Sequence, residues 1–533
     1  MTSSPTSRMR PRTARAVDAR SLIEAVAARL GTADVEVAGD AEVTGVALDS
    51  RAVQPGDLWV ALPGAARHGA DFAPAVIAAG ASCIVTDEAG RARVEAAAAE
   101  AGRAVALAVV PSGLRAWAGP LAAEVFGTGE RAFPLFAVTG TNGKTTTTYM
   151  LNSLQRALGR STGVIGTIEI RAGEEAIPSV LTTPESPDVH GILARMAENG
   201  VTGAAMEVSS HAIDYRRVDG IRFDVAGFTN LTQDHLDLHG TMEEYFASKA
   251  QLFEPARSAA AVILADGEWG HRMAEAARAA GAVVVTLSLE GEADARVTDV
   301  AQEGLGSRFT LEWRGERLEV VLPLPGAFNV ANAALAVTML LASGVSAAQL
   351  APVLADGSGL AVTVPGRMQV IGTSPAAIVD FAHNPDALER ALASVAGERR
   401  ILVFGATGDR DPSKRHAMGR IAAEGADIVI VTDDDPHGED PASIRAAVLE
   451  GARAAGTGAS IEEVHPRADA IARAVELAGP KDAILVAGRG HETVQDVAGV
   501  DIPLDDREEL AAALRRAGYP TLDQTTRKDG AEC

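Results

Sequence analysis

Residues 135–146 read Leu135-Phe136-Ala137-Val138-Thr139-Gly140-Thr141-Asn142-Gly143-Lys144-Thr145-Thr146. An apolar run of strand length enters a glycine-rich turn, and a helical pattern through Met150 and Leu154 follows. Such a turn aims backbone N–H groups at phosphate oxygens, lets Lys144 reach the terminal phosphates and leaves Thr145 for a magnesium ion. The loop is shorter than the usual form, with two residues rather than four between its glycines. Strand, loop and helix in this order predict nucleotide binding on an α/β layer.

Outward from this segment the chain divides into three blocks behind an N-terminal tail. Residues 1–20 carry Arg8, Arg10, Arg12, Arg15 and Arg20 among Ser, Thr and Pro, with no apolar core of a signal peptide after them, and are expected as a disordered tail. A first block, 21–130, holds an amphipathic stretch at Leu22 to Leu30 and strand-like runs at Gly56 to Leu62 and Ala81 to Val85. The second, 131–360, opens at the phosphate loop and thins out near Gly357 to Thr363. The third, 361–533, carries buried-strand runs at Ala377 to Val379, Ile401 to Phe404, Ile428 to Val431 and Ile484 to Val486, and a polar tail from Asp523. Apolar runs alternating with alanine-rich helical stretches predict largely parallel α/β sheets, whose ligands bind outside the carboxyl ends of the strands.

Composition narrows the function. The 533 residues suit about three domains, and 48 basic against 71 acidic residues give a net charge of −23, which opposes nucleic acid and anionic lipid. Aromatic content of 4% leaves little for base stacking. Apolar runs such as 333–342 stop short of the roughly 18–20 residues of a membrane span. The two cysteines, Cys83 and Cys533, make no disulfide framework, so a reducing, cytoplasmic compartment is expected.

Two acid and amine positions stand out. Glu207 ends the apolar run Gly203 to Met206, where a strand would deliver a carboxylate to the phosphate loop. Lys249 lies in the helical stretch Tyr245 to Phe253, whose apolar positions would place it near buried surface; burial lowers a lysine pKa and frees the amine to react with CO₂. Taken alone, a surface lysine is the plainer reading of Lys249, and a turn residue that of His235.

Thr139 to Thr145 resembles the ATP loop of the Mur ligases and of folylpolyglutamate synthase. The resemblance extends through Met206 to His211, Thr229 to Leu231, Asp234 to Asp237, Gly326 to Asn329, Gly366 to Met368 and Asp380 to Pro385, and covers about residues 45 to 510. It is nearest to the family members that add the third residue of the peptidoglycan stem. It implies a three-domain Mur ligase architecture, with a central P-loop ATPase domain and a Rossmann-like C-terminal domain. The implied enzyme is an ATP-dependent acid–amino-acid ligase that forms a C–N bond, releases ADP and phosphate, and acts as a monomer in cell-wall synthesis, cell shape and cell division.

The resemblance also assigns residues. ATP would lie on Gly140, Thr141, Asn142, Gly143, Lys144, Thr145 and Thr146, with Asn329 at the adenine and Arg367 and Asp380 at phosphate and ribose. The plainer alternatives are a helix cap, a hinge ion pair and a strand-end turn former. Mg²⁺ would lie on Thr145, Glu207, His235 and a carbamate of Lys249, and Lys144, Lys249, Glu207 and His235 form the expected catalytic set. Leu48 and Ser50 would hold the UDP sugar, and Thr182, Thr183, Ser209 and Arg217 the muramoyl-dipeptide. Leu181 and Tyr215 depart from the asparagine and glutamine of the diaminopimelate enzymes.

The amino acid would meet Arg410, Asp434, Asp435, His437, Gly488 and Glu492. Diaminopimelate enzymes read Asp-Asn-Pro-Arg where this chain has Asp434-Asp435-Pro436-His437. An imidazole cannot replace the bidentate guanidinium fork on a distal carboxylate, and Asp435 favours a cationic terminus. L-lysine or another diamino acid is therefore expected, with meso-2,6-diaminopimelate as the alternative. A folylpolyglutamate synthase-like ligase and a non-enzymatic ATP-binding scaffold are the more distant ones.

Overall fold

The computed structural model describes residues 9–64 and 66–522. Residues 1–8 of the expected tail and the polar stretch from Asp523, with Cys533, lie outside the described residues. Three large sheets follow one another along the chain, accompanied by two two-stranded pairs, Val17–Asp18 with Glu42–Val43 and Val494–Val497 with Val500–Pro503.

The first has five strands in the order Glu36–Ala38, Ala106–Val109, Cys83–Thr86, Asp57–Val60, Gly45–Ala47, parallel except for the first pair. Every residue of Asp57–Val60, Cys83–Thr86 and Ala106–Val109 is buried, as expected of parallel strands covered on both faces. The amphipathic stretch becomes the helix Ala19–Leu30, capped by Asp18, whose side chain accepts from Ser21 N.

The disorder expected through residue 20 is corrected for residues 9–20. Met9 is 3% exposed and sits in the core of the second sheet. Arg10 Nη1 donates to both Asp57 carboxylate oxygens at 2.8 Å and Nη2 to Val46 O at 3.0 Å. The amides of Arg12 and Thr13 donate to Glu198 at 2.8 and 2.9 Å. An arginine-rich stretch that looks unpaired in sequence finds its acids 47 and 186 positions away.

The second sheet has eleven strands, ordered Glu175–Pro178, Glu169–Ala172, Thr162–Ile165, Gly203–Glu207, Leu135–Thr139, Phe223–Phe228, Ser258–Leu264, Val284–Ser288, Ala295–Glu303, Gly306–Trp313, Glu316–Leu322. From Thr162–Ile165 to Ala295–Glu303 the pairs are parallel, and antiparallel strands extend both edges. The apolar run at 333–342 lies in the helix Phe328–Ala342, buried on nearly every side beneath this sheet beside the helix Lys144–Ala157. Among the described residues no helix is long and apolar enough to cross a membrane.

The third sheet runs Gln369–Thr373, Ala376–Asp380, Ala483–Ala487, Arg400–Phe404, Ile428–Val431, Ser460–Glu463. Its first pair is antiparallel and the others parallel, with apolar clusters on both faces, the doubly wound arrangement expected for this block.

Candidate active site

Leu135–Thr139, Gly203–Glu207 and Phe223–Phe228 are adjacent and parallel, so their carboxyl ends share one edge; Glu207 pairs with Val138 and Phe228 with Thr139. This register sets Glu207 beside the phosphate loop. Its carboxylate is fully buried and accepts from Thr145 Oγ1 at 2.8 Å, Thr167 N at 2.8 Å and Thr167 Oγ1 at 3.0 Å. The loop is held from the next strand: Thr141 N donates to Asn230 O and Asn142 N to Asn230 Oδ1, at 2.9 and 3.0 Å. Gly140 has φ 147°, and an added Cβ would overlap Thr229 Oγ1, so only glycine lets the turn approach this strand. Thr146 is buried in the first turn of the helix behind.

Two lysines converge on one carbonyl. Lys144 Nζ donates to Gly140 O at 2.9 Å and Thr141 O at 2.8 Å, and Lys249 Nζ donates to Gly140 O at 3.0 Å. Lys249 is 1% exposed, its ammonium 4.5 Å from the Tyr245 ring centre, so the surface alternative is excluded. Burial first, and then the charge of Lys144, pushes its pKa well below the usual lysine value. His235 stands at a left-handed position, φ 53°, with its ring centre 4.9 Å from that of His211. Partial burial, Lys144, His211 and Lys249 push its pKa down to about 4, leaving a neutral imidazole near pH 7. The hydroxyl of Thr145 and the carboxylate of Glu207, 2.8 Å apart, are oxygen donors that suit a hard divalent cation.

The expected donor-substrate residues gather behind Glu207. Thr182 Oγ1 donates to Thr167 Oγ1 at 3.1 Å, Thr183 Oγ1 donates to Glu207 O at 2.9 Å, Ser209 caps the helix Ser210–Asp214, and Arg217 Nη1 donates to Thr183 O at 3.2 Å. Tyr215, 40% exposed, lies under two guanidinium groups, Arg115 at 5.8 Å and Arg217 at 5.5 Å. Leu48 and Ser50 occupy the loop after Gly45–Ala47, at the carboxyl edge of the first sheet, where Leu48 O accepts from Trp59 Nε1 at 3.0 Å.

The third sheet faces the phosphate loop directly. Asn142 Nδ2 donates to Asp386 Oδ2 at 2.9 Å, and Asn384 Nδ2 to Asp234 Oδ2 at 3.4 Å. Arg367 lies 4.1 Å over the Phe381 ring, and its buried Nη1 has no hydrogen-bond partner among the described residues. Asp380 accepts from Met368 N at 2.6 Å, and burial pushes its pKa up to about 6. Asn329 is 1% exposed and spends its amide on Pro325 O at 2.7 Å and on Asn332 at 2.9 Å, beside the phosphate-loop helix. Thr167 and Asp386 were not foreseen. Asp386 adjoins the quoted Asp380 to Pro385 run, whereas Thr167 carries no signal in sequence.

At the carboxyl edge of the third sheet, Arg410, His437, Asp409 and Asp496 line a cleft of about 510 Å³. His437 Nδ1 lies 2.9 Å from Asp496 Oδ2, so the imidazole is already engaged. Asp435 pairs with the buried Arg489. Its charge is therefore compensated, which corrects the expectation of a free extra acid there. The carboxylate oxygen left without a hydrogen bond is Asp434 Oδ2, buried against Gly488, and Glu492 beside it is pushed up to about 8 by burial and by Asp434.

A phosphate loop that faces a second parallel sheet across a hinge, with a third sheet before it, defines a three-domain ATP-dependent ligase. The sequence matches the Mur ligase family, catalytic domain, over residues 42–124, the Mur ligase middle domain over 138–340, and the Mur ligase, glutamate ligase domain over 366–490. The chain belongs to the Mur ligase family. It is 45% identical over 496 residues to a UDP-N-acetylmuramyl-tripeptide synthetase of Leifsonia xyli, covering 91% of this chain and 95% of that one. It is 44% identical over 488 residues to a UDP-N-acetylmuramoyl-L-alanyl-D-glutamate–2,6-diaminopimelate ligase of Streptomyces coelicolor, covering 90% and 94%. Among solved structures, one such diaminopimelate ligase matches with a TM-score of 0.60 at 31% identity, over 90% of this chain and 96% of that one. Folylpolyglutamate synthase of Mycobacterium tuberculosis with ADP shares the fold, with a TM-score of 0.57 at 20% identity over 75% of this chain and 94% of that one.

Proposed function

We propose that the chain adds the third stem-peptide residue to UDP-N-acetylmuramoyl-L-alanyl-D-glutamate in peptidoglycan synthesis, with L-lysine or another diamino acid as the favoured acceptor. The observation that carries the ligase reading is the meeting of Lys144, Lys249, Thr145 and Glu207 at one loop within a chain similar to tripeptide synthetases over nearly its whole length. The reaction runs in the cytoplasm, where ATP and the UDP sugar are made.

The γ-carboxylate of the D-glutamyl residue attacks the γ-phosphate of ATP, ADP leaves, and an acyl phosphate forms. Gly140 to Thr146 hold the phosphates, and Lys144 offsets the developing charge once its ammonium exchanges Gly140 O and Thr141 O for phosphate oxygens. The acceptor amine then attacks the acyl carbon, loses a proton, and inorganic phosphate departs. Thr145, Glu207, His235 and a carbamate on Lys249 would hold magnesium, which supplies positive charge beside the triphosphate. The carbamate requires an unprotonated amine, and the buried Lys249 supplies one. Arg367, Asp380 and Asn329 bind the rest of the nucleotide; Leu48, Ser50, Thr182, Thr183, Ser209 and Arg217 bind the donor.

The unpartnered Asp434 carboxylate oxygen supports an ammonium in the acceptor, and the absence of a guanidinium at His437 supports a diamino acid without a distal carboxylate. A specific observation favours the second reading, diaminopimelate: Arg410 lines the same cleft, and relatives at 42–44% identity carry that name. Acceptor-dependent ADP release with lysine, ornithine, diaminobutyrate, homoserine and diaminopimelate separates the two. Turnover with lysine or a shorter diamino acid is expected, and turnover with diaminopimelate alone would overturn the preference.

A further inference from the structure

The carboxyl ends of Ile428–Val431 and Ala483–Ala487 carry Asp434 and Gly488 to Glu492, yet these strands are not neighbours, because Arg400–Phe404 lies between them. Sheet hydrogen bonds therefore do not tie one end to the other. Two buried arginines do: Arg489, within the loop itself, pairs with Asp435, and Arg467 reaches both strand ends from a separate helix. Arg467, at the start of the helix Arg467–Leu477, donates through Nη1 to Asp433 O at 3.1 Å and through Nη2 to Ala487 O at 2.9 Å. Those carbonyls belong to the residues immediately before Asp434 and Gly488.

The guanidinium is held in turn by Asp506, on the helix Asp506–Arg516, through Nε to Oδ1 at 2.8 Å and Nη2 to Oδ2 at 2.7 Å. Both side chains are 0% exposed. A buried ion pair of this kind is often matched in stability by apolar residues of similar volume, because desolvation offsets the Coulomb gain. Stability alone gives no reason for a planar fork with two further donors aimed at two separate strand ends. Nor does the gap tolerate slack: a Cβ added at Gly488 would overlap Asp434 Oδ2.

We infer that Arg467, oriented by Asp506, is a positioning residue that sets the separation between Asp434 and the Gly488 to Glu492 loop, and so the affinity for the incoming amino acid. The inference rests on the reading of those residues as the acceptor site.

The test uses the full chain with the double substitution Arg467→Met/Asp506→Leu and the single substitution Arg467→Lys. The double variant fills the space without charge and is expected to melt within a few degrees of the parent. Its KM for the amino acid should rise tenfold or more, while KM for ATP and for the UDP substrate stay within about twofold. Arg467→Lys keeps the charge beside Asp506, but a single nitrogen replaces the Nη1 and Nη2 that reach the two separate carbonyls, so the same split in KM is expected from it even if the double variant does not fold. An unchanged amino-acid KM in a folded variant, or a parallel loss across all three substrates, overturns the clamp alone. A parent enzyme whose ADP release is indifferent to every amino acid overturns the acceptor reading and the clamp with it.

Discussion

At the scale of the residue, Gly140 O is where two lysines of different helices meet, and their proximity is what depresses Lys249 beyond burial alone. Lys249→Ala should lower turnover by roughly 10²-fold or more, the scale of removing one electrostatic contact to a reacting phosphoryl group, with partial recovery by a short-chain carboxylate. Because protonation of the amine competes with CO₂, a carbamate signal from ¹³C-bicarbonate should weaken as pH falls; wild-type activity in the alanine variant would remove the role. His437→Arg should raise the ratio of kcat/KM for diaminopimelate over lysine by about tenfold or more, given about 1.5–3 kcal/mol for a charged hydrogen bond. An unchanged ratio would detach His437 from selectivity. Sequence showed Glu207 and the phosphate loop because each closes a contiguous apolar run. It misread Asp435, whose partner Arg489 stands 54 positions away.

At the scale of the element, the strand, turn and helix of 135–157 were legible because the whole unit is local. The antiparallel extension Gly306–Trp313 and Glu316–Leu322 was not, since nothing in a half-buried hairpin states which sheet it will lengthen. Nor was the contact of hinge and loop. Gly366, with φ 61°, lies so close to Gly490 that an added Cβ would overlap the Gly490 carbonyl carbon. Gly366→Ala should therefore displace Arg367 from the cleft and raise KM for ATP, at about 1–3 kcal/mol of overpacking. Titration calorimetry with ADP checks it: affinity equal to the parent's would mean that the hinge absorbs the methyl elsewhere.

At the scale of the whole molecule, the three-block division was readable from alternation, but how the blocks are fastened was not. Residues 9–13 bind the first and second sheets together through Asp57 on one side and Glu175 and Glu198 on the other. The amide of Arg12 foremost, with Arg195 and Thr13, lowers the Glu198 pKa to about 2. A carboxylate so depressed stabilises fully above its unfolded value near 4.5 and loses that contribution as pH falls toward about 2. The stability difference between wild type and Glu198→Ala should thus be constant above about pH 5 and vanish in acid. Hydrogen exchange at the Arg12 and Thr13 amides should be faster in the variant, and equal protection would show that Glu198 does not hold this segment.

Met9 gives this fastening a consequence in time. It shares an apolar core with Phe133, Leu135 and Ile192, residues that leave the ribosome more than a hundred positions after it. N-terminal domains generally complete first during synthesis. Here the first sheet can close while its leading segment waits, solvated, for Glu175 and Glu198 to emerge. Residues 9–13 are thus among the last parts of the first two blocks to find their place, and a fusion joined ahead of Met9 must leave that late docking free.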